Sequence, residues 1–272
     1  MSKYICDPRD LERLNNFRLL DDDFMSIVFQ DSPEAVEYVI RTIFDDQRIK
    51  VLAVATQYEM KNLAGGRSIK LDVKAIDAQG CLFNVEIQRA DQGAGKKRAR
   101  YYSSMLDSTT LHANEPFSAL PETYVIFITE NDVLGNGLPL YHVERVIQET
   151  GDHFDDGEHI IYMNGAYVGE DPVGVLARDF RAKAPEEMKK SVLEERVRYF
   201  KRSEEGQTAM CRMMEEMRNE AAAAAAVLAA EKNTVENYYA MRSLNVPEDI
   251  LRRGLGITDD VLAKYPELAP KQ

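Results

Sequence analysis

Hydrophobic and polar positions keep two different rhythms along this chain. Two runs, Ile69-Lys70-Leu71-Asp72-Val73-Lys74-Ala75-Ile76-Asp77 and Cys81-Leu82-Phe83-Asn84-Val85-Glu86-Ile87-Gln88, interleave apolar and polar residues with period two and predict β-strands. Between them, Ala78-Gln79-Gly80 reads as a three-residue hairpin loop with Gly80 in the left-handed position. Ile49 to Tyr58 predicts a strand before the hairpin, Glu122 to Thr129 a buried central strand after it, and Tyr141 to Gln148 and His159 to Met163 two edge strands. Ser32-Pro33 opens a helix, with Ser at the N-cap, Pro at the first position and Glu34 in the first turn. Val36, Val39, Ile40 and Ile43 recur along it at helical spacing. Gly95 to His112 predicts a second helix with Ala99, Tyr102, Met105 and Leu106 as its buried stripe. Asp21-Asp22-Asp23 reads as an acidic cap on the apolar patch Phe24 to Phe29. The order helix, three strands, helix, strand predicts an α/β domain with a mixed sheet over residues 1–168.

From residue 169 to 272 the rhythm is helical throughout. Asp171-Pro172 starts one helix, and Pro185-Glu186-Glu187 a second that runs to Phe200. A third, from Ser203 to Lys232, carries Met210, Met213, Met214, Met217, Ala221, Ala224 and Leu228 at steps of three and four. Such a stripe is the ordinary mark of helix packing, and its length points to an antiparallel partner within the chain or a coiled-coil dimer. The tail holds two short capped helices, at Val246-Pro247-Glu248 and Ile257-Thr258-Asp259, and reads as a small interaction module.

Composition narrows the setting. The three cysteines, Cys6, Cys81 and Cys211, are odd in number, far apart and without metal-ligand spacing, so a cytoplasmic location is expected. The apolar run Ala221 to Ala230 is about half of the ~20 residues that span a bilayer, and no membrane association is expected. A net charge of −12 opposes wholesale nucleic-acid binding, because phosphate contacts need cations. The stretch Lys61 to Tyr102 reverses that balance, with nine basic residues against four acidic ones.

Those basic residues surround a pair of carboxylates. If Asp77 and Cys81 close the hairpin, Asp72 falls directly opposite Glu86, with Cβ atoms roughly 5 Å apart. A two-residue loop would instead set Asp72 opposite Val85. Two carboxylates that close repel each other unless a cation lies between them. Gln88 and Lys74 share their face. Mg²⁺ takes octahedral oxygen ligands at about 2.1 Å and keeps several waters, so Asp72, Glu86 and the Ile87 carbonyl suffice; Mn²⁺ is expected to substitute. Carboxylates holding such an ion can neutralise a phosphodiester and activate water, with Gln88 orienting the water and Lys74 or Lys70 adding positive charge. The histidines stand in no relation to a nucleophile, and Gly65-Gly66 and Gly93-Ala94-Gly95 read as ordinary turns rather than phosphate loops.

Asp72, followed fourteen residues later by Glu86-Ile87-Gln88 on the second and third strands of an αβββαβ core, resembles the PD-(D/E)XK nuclease fold. More specifically the chain resembles the PD-(D/E)XK nuclease family transposases, including the Rpn family of recombination-promoting nucleases. The similar blocks are Asp23-Phe24, Val28-Phe29-Gln30-Asp31, Leu71 to Gly80, Phe83 to Gln88, Arg98 with Arg100-Tyr101-Tyr102-Ser103, and Tyr124 to Thr129. The resemblance implies a restriction-endonuclease-like core with a mixed central sheet, followed by an all-helical C-terminal region. It implies that Asp72 and Glu86 bind the metal and that Gln88 takes the place of the usual lysine. Lys97, Arg98, Arg100 and Tyr101 would then face DNA, with Arg98 and Arg100 on phosphate. Glu34, Glu37 or Glu59 could add a carboxylate. The activity implied is a DNA endonuclease with no organic cofactor, acting as a homodimer in mobile-element recombination or related DNA processing in a bacterium. The competing reading is a weak or inactive nuclease core that serves as scaffold for the Met- and Ala-rich helices.

Overall fold

The structure, a computed structural model, describes residues 5–60, 67–89 and 91–269; Lys61 and Gly65-Gly66 lie outside them. Asp7-Pro8 starts helix α1 (Pro8–Asn16), the Asp7 side chain accepting from the Arg9 N–H. Asp7-Pro8 is the same helix-start signal as Asp171-Pro172. Helices α2 (Asp22–Phe29) and α3 (Pro33–Phe44) follow, then the strands β1 (Val51–Met60), β2 (Ile69–Asp77) and β3 (Leu82–Gln88). Next come α4 (Lys96–Thr110), β4 (Thr123–Thr129), β5 (Leu140–Val143) and β6 (Glu158–Asn164).

The six strands form one sheet in the order β1-β2-β3-β4-β6-β5. β1, β2 and β3 run antiparallel, β3, β4 and β6 parallel, and β5 returns antiparallel to β6. β6 is therefore internal, where an edge strand was expected. Its run Ile160-Ile161-Tyr162-Met163 is apolar without alternation, as in parallel strands covered on both faces. Only β5 takes the edge, and Tyr141 to Gln148 is strand for its first residues alone. At the opposite edge β1 is irregular: its register shifts between Val51 and Ala53, and Gln57 sits at φ +53°.

The hairpin has the register expected from a three-residue loop, with Val73 opposite Val85, Lys74 opposite Asn84 and Ile76 opposite Leu82. Gly80 has φ +86°, a conformation that costs glycine nothing. The Asp77 N–H donates to the Cys81 carbonyl at 3.2 Å, and Asp77 Oδ1 accepts from the N–H groups of Gln79 and Cys81 at 2.9 Å each.

Ala99, Tyr102, Met105 and Leu106 of α4 are buried as predicted, in a cluster with Leu71, Val125, Phe127 and Tyr162. Phe127 stacks between Tyr102 and Tyr162, ring centroids 6.3 and 5.3 Å away. On the other face Phe44, at the end of α3, meets Phe83 and Tyr124, which alternate with Asn84 and Val125.

Beyond the sheet, α5 (Pro172–Arg181) and α6 (Val192–Arg202) pack on α3. The helix expected from Pro185 to Phe200 is broken: Pro185–Glu187 makes one 3-10 turn, the Lys189 N–H turns to Asp179, and Ser191 caps α6. α7 (Glu204–Ser243) continues past Lys232, because Val235 and Tyr238 bury themselves with Leu251 of α8 (Glu248–Leu255) and with Ile257, which precedes α9 (Asp259–Ala263). Of the expected stripe, Met210 and Met214 are buried, whereas Met217, Ala221, Ala224 and Leu228 are exposed. Residues up to Ala209 form one compact unit, which includes α5 and α6, and those from Met210 form a second. No described helix is long and apolar enough to cross a membrane.

Asp77 fastens the hairpin turn that Gly80 allows. Asp77→Ala removes the acceptor for two backbone N–H groups and is expected to lower the unfolding free energy by about 1–3 kcal/mol in urea titrations. An unchanged midpoint would remove Asp77 from this role.

Candidate active site

The β2–β3 ladder ends at Val73 and Val85, and from there the carboxylates replace it. The Asp72 N–H donates to Glu86 Oε1 at 3.2 Å, and the Ile87 N–H donates to Asp72 Oδ2 at 2.8 Å. Each acid is thus anchored through one oxygen to the opposite backbone. In a strand, a residue's N–H and C=O face the same neighbour, so the Ile87 carbonyl also faces β2, beyond the last ladder pair.

Glu86 is fully buried and Asp72 nearly so. Burial pushes both carboxyls well above the usual carboxylate range. The charge of Asp72 adds to the shift at Glu86 and that of Asp22 to the shift at Asp72, while Arg98 opposes both. The charge of Asp72 bears on Glu86, so the two acids titrate as a unit.

Among the described residues the positive group bonded to the pair is Arg98, on the first turn of α4. It donates from Nη2 to Glu86 Oε2 at 3.3 Å and to the Tyr102 hydroxyl at 2.6 Å, and from Nη1 to Gln88 Oε1 at 3.4 Å. Its guanidinium also lies 4.9 Å from the Tyr102 ring centroid. Arg98 therefore faces the carboxylates. Gly93 lies beside Gln88, and a Cβ there would run into Gln88 Oε1. This glycine, read as part of an ordinary turn, leaves room for the Gln88 amide.

Lys74 is not brought to the pair. Its ammonium lies 4.6 Å from the centroid of the Tyr58 ring on β1, and Lys70 is the lysine whose charge reaches Asp72. Glu34 and Glu37 are elsewhere too: Glu37 accepts from the Val51 N–H and pairs with Arg41 and Lys50, and Glu34 lines a hollow beside Tyr38. Glu59 sits on β1 opposite Lys70. The acid that does approach Asp72 is Asp22, which also accepts from Gln57 Nε2 at 2.9 Å. The triplet Asp21-Asp22-Asp23, an acidic cap in the sequence, is the visible signal. Among the described residues no third His, Cys, Asp or Glu completes a metal-ligating cluster. Asn84, fully buried on the face of Glu86, favours the ionised Glu86, yet its amide makes no hydrogen bond of normal geometry.

A groove of about 720 Å³ opens between the start of β2 and the first turns of α4. Arg67, Lys70, Lys97, Arg98 and Arg100 line it with Tyr101 and Tyr102. Lys97 and Arg100 are exposed along it, and the Tyr101 hydroxyl donates to the Arg67 carbonyl.

The family model described as PD-(D/E)XK nuclease family transposase matches residues 34–246, a span that includes Asp72, Glu86, Gln88 and Arg98. No curated protein and no solved structure matches the chain significantly.

The raised pKa values set a pH dependence. Above about pH 4 the unfolded chain releases protons that the folded pair keeps, so stability without metal falls as pH rises towards the folded pKa values. Thermal unfolding in EDTA should show a loss on the order of 1–3 kcal/mol between pH 5 and pH 8.5. Asp72→Asn keeps an acceptor for the Ile87 N–H and removes one charge, so its profile should be flatter and its stability at pH 8.5 higher. Parallel profiles for the two proteins would show that the pair is not strained.

Proposed function

We propose that this chain, which belongs to the PD-(D/E)XK nuclease family transposases, is a metal-dependent DNA endonuclease. One observation carries the reading: two buried carboxylates, each anchored through one oxygen, meet Arg98, which also lines a basic groove. Asp72 and Glu86 supply hard oxygen donors whose mutual repulsion a divalent ion relieves, so the donor set suits Mg²⁺, with Mn²⁺ as a substitute. They would hold the ion together with the Ile87 carbonyl, and the bound ion would neutralise phosphate charge and make water more acidic.

The rest falls to the chain's own residues. Lys97, Arg100, Arg67 and Lys70 hold the phosphate backbone along the groove, and Tyr101 fixes its Arg67 side. The Gln88 amide orients the attacking water by hydrogen bonding and takes no proton. Water oxygen bonds to phosphorus, its proton passes to solvent, and the P–O bond to the leaving oxygen breaks with its electron pair. The leaving oxygen takes a proton from solvent. A second copy of the chain would serve the opposite strand.

Nicking of supercoiled plasmid in Mg²⁺, Mn²⁺ or EDTA tests this reading. The expected outcome is cleavage in either metal, none in EDTA, and a loss of at least about 10²-fold in Asp72→Ala and in Glu86→Ala. Cleavage that survives in both variants would overturn the site, and no cleavage in any metal would favour the scaffold reading. For the groove, Lys97→Ala with Arg100→Ala should weaken DNA binding at every sequence and lower the slope of log K against log[salt] by about two. An unchanged slope would take the groove out of DNA contact.

A further inference from the structure

We propose that Arg98 is the catalytic cation of this site, exchanging the Glu86 carboxylate for the scissile phosphate when a divalent ion enters; the inference rests on the nuclease reading above. The strand motif ends in Gln88, which carries no charge, so the positive group that a phosphoryl transition state needs must come from elsewhere. Arg98 is the cation that reaches both Glu86 and Gln88, and it comes from α4.

Its contacts are unequal in a way that suits exchange. The bond to the Tyr102 hydroxyl, one helical turn on, is 2.6 Å, and the guanidinium also rests on that ring. Those to Glu86 and Gln88 are 3.3 and 3.4 Å, long for charge-assisted hydrogen bonds. Tyr102 is thus the anchor, and the carboxylate contact is the one that yields. Glu86 Oε1 is taken by the Asp72 N–H, which leaves Oε2, the oxygen Arg98 holds, as the ligand an incoming ion would claim. Arg98 is also 37% exposed and lines the basic groove. Released from Glu86 but still held by Tyr102, it turns its free N–H groups to the phosphate in that groove. The guanidinium moves no proton; it stabilises the charge that builds on the phosphate oxygens.

The test compares wild type, Arg98→Gln and Arg98→Lys in the full-length protein, reading Mn²⁺ affinity by electron paramagnetic resonance and plasmid cleavage under single turnover. With its competitor gone, Arg98→Gln should bind Mn²⁺ about three- to tenfold more tightly. It should also cleave about 10²- to 10³-fold more slowly. Arg98→Lys, which keeps the charge, should retain near wild-type Mn²⁺ affinity and cleave faster than Arg98→Gln. Tighter metal with slower chemistry is a pairing that a loosened fold does not produce. Mn²⁺ affinity unchanged or weakened in Arg98→Gln, or cleavage at the wild-type rate, overturns the role of Arg98 while leaving the nuclease reading in place. A wild type that neither binds Mn²⁺ nor cleaves overturns that reading and this one with it.

Discussion

Two hydrogen bonds, from Asp72 N–H to Glu86 and from Ile87 N–H to Asp72, take over where the β2–β3 ladder stops, and the rest of the site is arranged around them. They satisfy backbone donors that a buried sheet cannot leave unpaired. They also hold two carboxylates in a dry, close setting that neither acid would occupy alone. The sheet therefore carries an electrostatic cost in its centre, which the Arg98 guanidinium and the charge of Lys70 lower. Stability and chemistry are opposed at these residues, since neutralising substitutions relax the fold and remove the ligands together.

Helix α4 joins the two halves of this arrangement. Its buried side, Ala99, Tyr102, Met105 and Leu106, fixes it on the sheet. The same first turns carry Arg98 to Glu86 and set Lys97 and Arg100 along the groove. Tyr102 serves both purposes, its ring packed near Phe127 and its hydroxyl accepting from Arg98. Packing against an apolar sheet thus decides where the positive charge sits.

Local signals were enough for much of this. The hairpin register followed from one loop residue free to take positive φ, and the α4 stripe from helical spacing. The pairing of Asp72 with Glu86 came with the register. What stayed hidden depended on contacts between distant segments. Nothing in the spacing of α4 says that Arg98 turns inward while Arg100 turns out, although the four-residue step from Arg98 to Tyr102 could have hinted at their bond. Lys74 shares a strand face with Asp72, but the ring of Tyr58 draws its side chain away. The charge of Asp22 bears on Asp72 because α2 packs beside the sheet. β6 was misplaced because apolarity shows burial, not order in the sheet. The end of α7 was misplaced because the helices that cover Val235 and Tyr238 come later in the chain.

The irregular outer strand has its own consequence. β1 is ten residues long and rich in Val and Ala, with Leu52 and Tyr58 turned to solvent. A flat edge of that kind would offer a row of unpaired N–H and C=O groups to any extended chain it met. The register shift at its start and the left-handed Gln57 in its second half interrupt that row, so an incoming strand finds few consecutive bonds to make. The same kinks make this edge a poor template for strand addition.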